Sequence, residues 1–240
     1  MKKHNTTMKK VSDQLEEARK KIEETTKKIN ALEFDVHWYR RVFHAFGASF
    51  LLYYMLPDVD WINLLKFWIP IVILILVFIL EYLRIKGKLN SNHFFGLRMY
   101  EKKRVSSYLF FGVAILILLL FFPQQIAVPC ILCACIADPV MGEVRHRFGG
   151  KYVYLIGFLV CMIFFMVTWY KAGFFVMFPV SIIGAIGAVT GETKKFWWLD
   201  DDFMIQMVPA VLLYLITWIG TQYMWFGLPE KIIYSGVMPW

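Results

Sequence analysis

The sequence predicts an all-α, polytopic membrane protein of about seven transmembrane helices, preceded by a cytoplasmic coiled-coil helix. Three observations carry that expectation. Of the 240 residues, 59% are hydrophobic and the mean hydropathy is +0.54, against about 45–50% apolar residues in an ordinary soluble domain. The excess is gathered into long runs such as Ile69–Leu80 and Ala114–Phe122, with no alternation of period two. Helices, rather than a barrel, then satisfy the backbone in lipid. Finally, the lysines and arginines fall on every second loop.

Residues 1–36 form a unit of their own. Val11, Leu15, Ala18, Ile22, Thr25, Ile29, Leu32 and Val36 recur in steps of four and three, with Glu, Lys and Arg between them. That is a heptad seam, and the helix it implies is about 39 Å long. Ala18 and Thr25 supply little apolar volume. A homodimeric coil competes with a helix lying along the membrane or on another partner. The polar first forty residues argue against a signal peptide.

Residues 38–240 form the membrane domain. Seven segments are expected, at Val42–Leu56, Ile62–Leu83, Val105–Phe122, Ile126–Gly142, Tyr152–Tyr170, Phe174–Thr190 and Phe203–Gln222. The first and fourth are short for a core about 30 Å thick. The aromatic tail from Trp225 to Trp240 suits the interface. Gly187 and Gly191 form a GxxxG, read as close helix packing. Cys130, Cys133, Cys135 and Cys161 all lie in apolar runs and are read as small packing residues. No phosphate-cradling glycine motif occurs.

Of the 26 lysines and arginines, 23 lie in the N-terminal region or in loops 84–104, 143–151 and 191–202. The positive-inside rule then puts the N-terminus in the cytoplasm and, after seven spans, the C-terminus outside. This accounts for the net charge of +8 without nucleic-acid binding.

Eight of the eleven carboxylates after the coil fall on that cytoplasmic side: Glu81, Glu101, Asp138, Glu143, Glu192, Asp200, Asp201 and Asp202. Three consecutive aspartates repel one another unless cations offset them, and hard oxygen donors suit Mg²⁺. Arg40, Arg41, Arg98, Arg145 and Lys151 on the same side suit phosphates. Carboxylates with cationic clamps are what phosphoryl transfer requires. The competing reading is a set of ordinary interfacial anchors. Asp138 favours the catalytic one, because it ends the apolar run from Ala127 and is followed by Pro139. Ionisable residues at membrane depth are costly and usually functional. Glu81 is a second such residue, with Arg84 at i, i+3.

The order of these residues resembles the CTP-dependent polyprenol and dolichol kinases, a group that includes phytol kinases and a CTP-dependent diacylglycerol kinase. Phosphatidate cytidylyltransferases are distant relatives. The pieces are Arg40-Arg41-Val42-Phe43-His44, then Glu81 with Arg84, Phe95 to Arg98 with Glu101, Asp138 followed by Phe148-Gly149, and Glu192 before Asp200-Asp201-Asp202. The likeness covers residues 38–222. Two departures stand out: Arg145 replaces a family glycine, and Lys151-Tyr152-Val153-Tyr154-Leu155 keeps the lysine of Lys-x-x-Glu-Gly but not its acid and glycine.

The resemblance implies a lipid kinase transferring the terminal phosphoryl group of CTP, with Mg²⁺, to a lipid alcohol. Asp138, Asp201 and Glu192 would be catalytic, and Asp138, Asp200, Asp201 and Asp202 would hold metal. Arg40, Arg41, Arg98, Arg145 and Lys151 would bind phosphates, and Glu81 and His44 the lipid substrate. A cytidylyltransferase-like enzyme and a non-catalytic scaffold dimerised by its coil stay open.

Overall fold

The computed structural model describes residues 19–21, 23–25, 38–89, 97, 101, 104–193 and 199–235. Described residues of the coil segment (19–21 and 23–25) are helical and exposed, and the rest of the expected seam lies outside the described residues. No strand occurs among the described residues.

Helix α1 spans residues 38–47 and continues as a 3₁₀ helix over Ala48–Tyr54. Its inward residues are Arg40, His44 and Gly47, at the i, i+4, i+7 spacing of one helical face. Gly47 matters because a Cβ there would meet the Phe111 ring at 2.6 Å and the Cys135 sulfur at 3.0 Å. Lacking one, α1 comes close enough to bring His44 among the acids. The expected first span is therefore part α and part 3₁₀, the latter rising about 2 Å per residue.

Helix α2 covers Asp60–Ile85 and buries only Ile62, Glu81 and Arg84, so it stands at the rim with Leu64, Leu65, Val72, Leu76 and Leu80 exposed. α3 covers Ser107–Phe121. α4 runs over Gln124–Phe148 and is the central helix: Gln124–Ile131 are buried without a break, as befits a helix apolar all round. It contains a π-helical stretch at Cys133–Ala137. Pro139 supplies no N–H to the carbonyl four residues back, and the wider π turn just before it accommodates the gap. α5 covers Val153–Trp169, α6 Phe174–Thr193 and α7 Asp201–Gln222.

Among the described residues five helices, α2, α4, α5, α6 and α7, are long and apolar enough to cross a membrane, and α3 is a shorter apolar helix of 15 residues. The fold is thus polytopic and all-α. The expected count of seven exceeds what helix length alone supports, because α1 breaks into two short pieces and α3 is truncated.

Glycines set the closest packing. A Cβ on Gly191 would run into the backbone carbonyl of Met204, one on Gly187 would meet the Pro209 Cα at 3.0 Å, and one on Gly184 would meet the Phe165 ring at 2.8 Å. The small-residue stripe of α6 therefore seats α7 backbone to backbone. Gly191→Ala is expected to destabilise by about 1–3 kcal/mol, as overpacking does. Gly112→Ala, with nothing within 4 Å of its Cβ, should be tolerated; thermal unfolding in detergent checks the pair.

The bundle has two polar ends. One gathers the start of α1, the end of α2, the start of α3, the end of α4 and the start of α7. At the other, Trp169 Nε1 donates to the Gln125 carbonyl (2.9 Å) and Gln124 and Gln125 bond to the tail at Ile233 and Pro229.

Candidate active site

The first end is where the sequence-predicted acids meet. Asp200 caps α7, its side chain accepting from the Asp202 N–H at 3.2 Å. Aspartate is among the favoured caps, and the positive helix start favours Asp201 and Asp202 in the first turn. Ligand-type atoms of His44, Asp138 and Asp202 all lie within 4.8 Å of one another, as do those of Asp200, Asp201 and Asp202. Residues 44, 138 and 202 come from α1, α4 and α7, so three distant stretches converge. The π turn immediately precedes Asp138 and so sets its direction. Helical π turns recur at functional sites.

Basic groups hold Asp202 in place. Arg40 Nη2 donates to Asp202 Oδ2 at 3.1 Å, and Arg40 Nη1 lies 3.7 Å from Glu101 Oε1. His44 Nε2 lies 3.6 Å from Asp202 Oδ1. His44 rests edge-on against the Phe111 ring, with centroids 4.8 Å apart. Arg40, His44, Glu101 and Asp202 are all buried. Arg40, expected to bind phosphate, is thus turned toward the protein's own acids. His44, expected at the lipid substrate, sits beside the carboxylates instead.

The other expected residues are distributed around this centre. Arg145 Nη2 donates to Glu192 Oε1 at 2.5 Å, while Glu192 Oε2 is buried without a hydrogen-bond partner. The Arg145 side chain is half exposed and lies within electrostatic reach of Asp138. Arg41 pairs with Glu143, which also accepts from Arg147. Lys151 is exposed and its ammonium lies 5.6 Å from the Tyr152 ring centroid. Arg98 lies outside the described residues.

Glu81 belongs to a neighbouring cluster. Its Oε2 accepts from Arg84 Nε (2.8 Å) and its Oε1 from Arg84 Nη2 (2.6 Å) and the Ser106 N–H (2.5 Å). Arg84 also donates to the carbonyls of Glu101 (3.0 Å) and Arg104 (2.6 Å). Glu81, read from sequence as substrate-binding, ties the end of α2 to the start of α3 through Arg84 and the Ser106 N–H. Through the backbone of Glu101, whose side chain backs Arg40, this dock reaches the aspartates.

Two residues escaped the sequence reading. Gln206 is fully buried one turn after Asp202, donates to the Asp202 carbonyl at 2.8 Å and leaves its Oε1 without a hydrogen-bond partner. Tyr108 places a buried, unbonded hydroxyl in the field of Arg40 and Asp202. The i, i+4 spacing of Gln206 on an acidic helix start was the available signal; for Tyr108 there was none.

The donor set fits Mg²⁺, which takes one or two carboxylates and leaves room for substrate phosphates. Asp138 and Asp202 supply oxygen within range of each other, and the imidazole of His44 is better suited to orienting Asp202. Burial, then a hydrogen bond from Asp201 and the charge of Asp202, pushes Asp200 up to about 8. A carboxyl raised in the folded state stabilises at pH below its unfolded value near 4, and that contribution is lost as pH rises through about 8. Thermal stability in chelator should therefore fall between pH 5 and pH 8.5. Asp200→Asn should flatten the slope, and added Mg²⁺ should oppose it.

No protein-family model matches the chain, and no solved structure matches it. The chain is 30% identical over 144 residues to CTP-dependent diacylglycerol kinase 1 of Schizosaccharomyces pombe, a match covering 50% of this chain and 64% of that relative. The chain thus spans less than two thirds of the length of the curated relative it matches.

Proposed function

We propose that this chain is a membrane lipid kinase that transfers the γ-phosphoryl group of CTP to the hydroxyl of a lipid alcohol, with diacylglycerol the first substrate to test and polyprenol or dolichol the next. The observation that carries the reading is the meeting of Asp138, Asp202 and His44 within 4.8 Å from three separate helices, at the end of the bundle that also bears Arg41, Arg145 and Lys151.

The lipid oxygen bonds to the γ-phosphorus, the bond from that phosphorus to the β,γ-bridging oxygen breaks, and CDP leaves. Asp138 accepts the hydroxyl proton. Asp202, fixed by Arg40 and His44, and Asp138 would hold Mg²⁺, which when bound offsets charge on the phosphates. Arg145 and Lys151 clamp the phosphate chain, with Arg41 and Arg98 contributing at the rim. Glu192 keeps Arg145 in position. Catalysis of this kind is mainly positioning and electrostatic stabilisation.

The sequence bias in basic residues supports seven traverses with the site in the cytoplasm and the C-terminus outside. The heptad seam of residues 1–36 supports a homodimer joined by that coil.

Membranes containing the chain, given Mg²⁺, diacylglycerol and CTP labelled at the γ-phosphorus, should yield labelled phosphatidate. Label entering lipid only from the α-position, with pyrophosphate released, would show nucleotidyl transfer instead. If neither label transfers and CTP gives no thermal stabilisation, the chain is a scaffold.

A further inference from the structure

The end of the bundle opposite the aspartates holds a cavity of about 230 Å³, lined by Tyr53, Tyr54, Asp58, Asn63, Lys66, Gln124, Lys231, Ile233, Tyr234 and Ser235. Two ammonium groups face one carboxylate there, and Asn63 already donates to Asp58 at 2.6 Å. Lys66 uses one donor on the Leu56 carbonyl at 2.8 Å and keeps two. Lys231 has no hydrogen bond or ion pair among the described residues.

The wall itself is built, not incidental. Gln124 both donates to the Ile233 carbonyl (2.9 Å) and accepts from the Ile233 N–H (3.1 Å), and Gln125 donates to the Pro229 carbonyl at 2.7 Å. Lys171 donates to Glu230 (2.9 Å) and Tyr234 (3.0 Å). These bonds strap residues 229–235 across the helix ends. On the same side of α2 as Asn63 and Lys66, Phe67, Ile73 and Val77 are exposed, a surface for acyl chains. The volume is below the ~300 Å³ at which pockets for drug-sized ligands begin, which favours a headgroup over a whole small molecule.

We infer that this cavity binds the phosphate headgroup of an anionic phospholipid in the leaflet opposite the aspartate site, with its acyl chains along α2. Lys66 and Lys231 offset the phosphate charge, and Lys66 keeps two N–H donors for its oxygens.

The test uses the full chain purified in neutral detergent, with thermal unfolding followed on adding phosphatidylglycerol, phosphatidylcholine or inorganic phosphate. Phosphatidylglycerol should raise the unfolding temperature more than phosphatidylcholine does. Lys231→Ala, which breaks no hydrogen bond among the described residues, should leave the lipid-free protein unchanged and cut the phosphatidylglycerol shift by at least half. The shift should persist in Asp138→Asn, which alters only the other end. Equal shifts in wild type and Lys231→Ala would overturn the inference, as would equal effects of the two lipids. A shift from inorganic phosphate as large as that from phosphatidylglycerol would overturn the lipid assignment.

Discussion

Asp138→Asn is expected to lower phosphoryl transfer from CTP to lipid by about 10²–10⁴-fold, the range that a positioned proton acceptor contributes. The substitution keeps the shape of the side chain and the π turn that aims it, and removes only the charge. Asp138 shares its space with Asp202 and His44, so losing its charge also removes one of the two carboxylates best placed for Mg²⁺. Activity should fall without loss of the folded protein. The measurement is label transfer from γ-labelled CTP at several Mg²⁺ concentrations, with unfolding temperature as the control. If the variant turns over at the wild-type rate, Asp138 is not in the site. If high Mg²⁺ restores the rate, the residue holds metal and another group takes the proton.

The second large effect is on stability. Arg84→Ala should cost about 3–5 kcal/mol, the range for breaking a buried pair from one side. The guanidinium is buried and donates to Glu81 and to the carbonyls of Glu101 and Arg104. Without it, Glu81 keeps a charge with no counter-ion at the end of a helix that is otherwise exposed along its length. The double variant Glu81→Gln with Arg84→Met removes both charges and should recover much of the loss, since replacing a whole buried pair is often nearly neutral. Detergent unfolding curves for the three proteins give the comparison. Turnover adds a second reading of the same variants. A stable double variant that phosphorylates lipid normally would leave Glu81 a docking residue, whereas a stable but inactive one would return it to the substrate.

Much of this could be read from residue order. Seven apolar segments were expected to be helical because lipid leaves the backbone no other way to satisfy itself, and among the described residues five helices reach spanning length. The same economy made Asp138 visible, since a lone acid closing an apolar run is conspicuous. Gly187 and Gly191 were read as packing residues, and the structure puts a carbonyl and a proline against them. Arg40 was harder. In a sequence it is one of many cytoplasmic cations, and only the arrival of Asp202 beside it, 162 positions away, turns it inward. The form of the first span was not legible either, because hydropathy does not distinguish a continuous α-helix from one that tightens to 3₁₀ at Ala48.

By itself the sequence determined that the chain is a helical membrane protein, which elements carry charge, and on which side of each run that charge falls. Those properties depend on local composition and on a solvent that penalises every unbonded polar group. Tertiary structure decided which charges meet. Whether an arginine faces a phosphate or an aspartate, and whether Glu81 or Asp138 stands at the centre, depends on helix rotation and close approach. These are set by Gly47, Gly191 and the π turn at Cys133–Ala137, through contacts between residues that no local pattern connects.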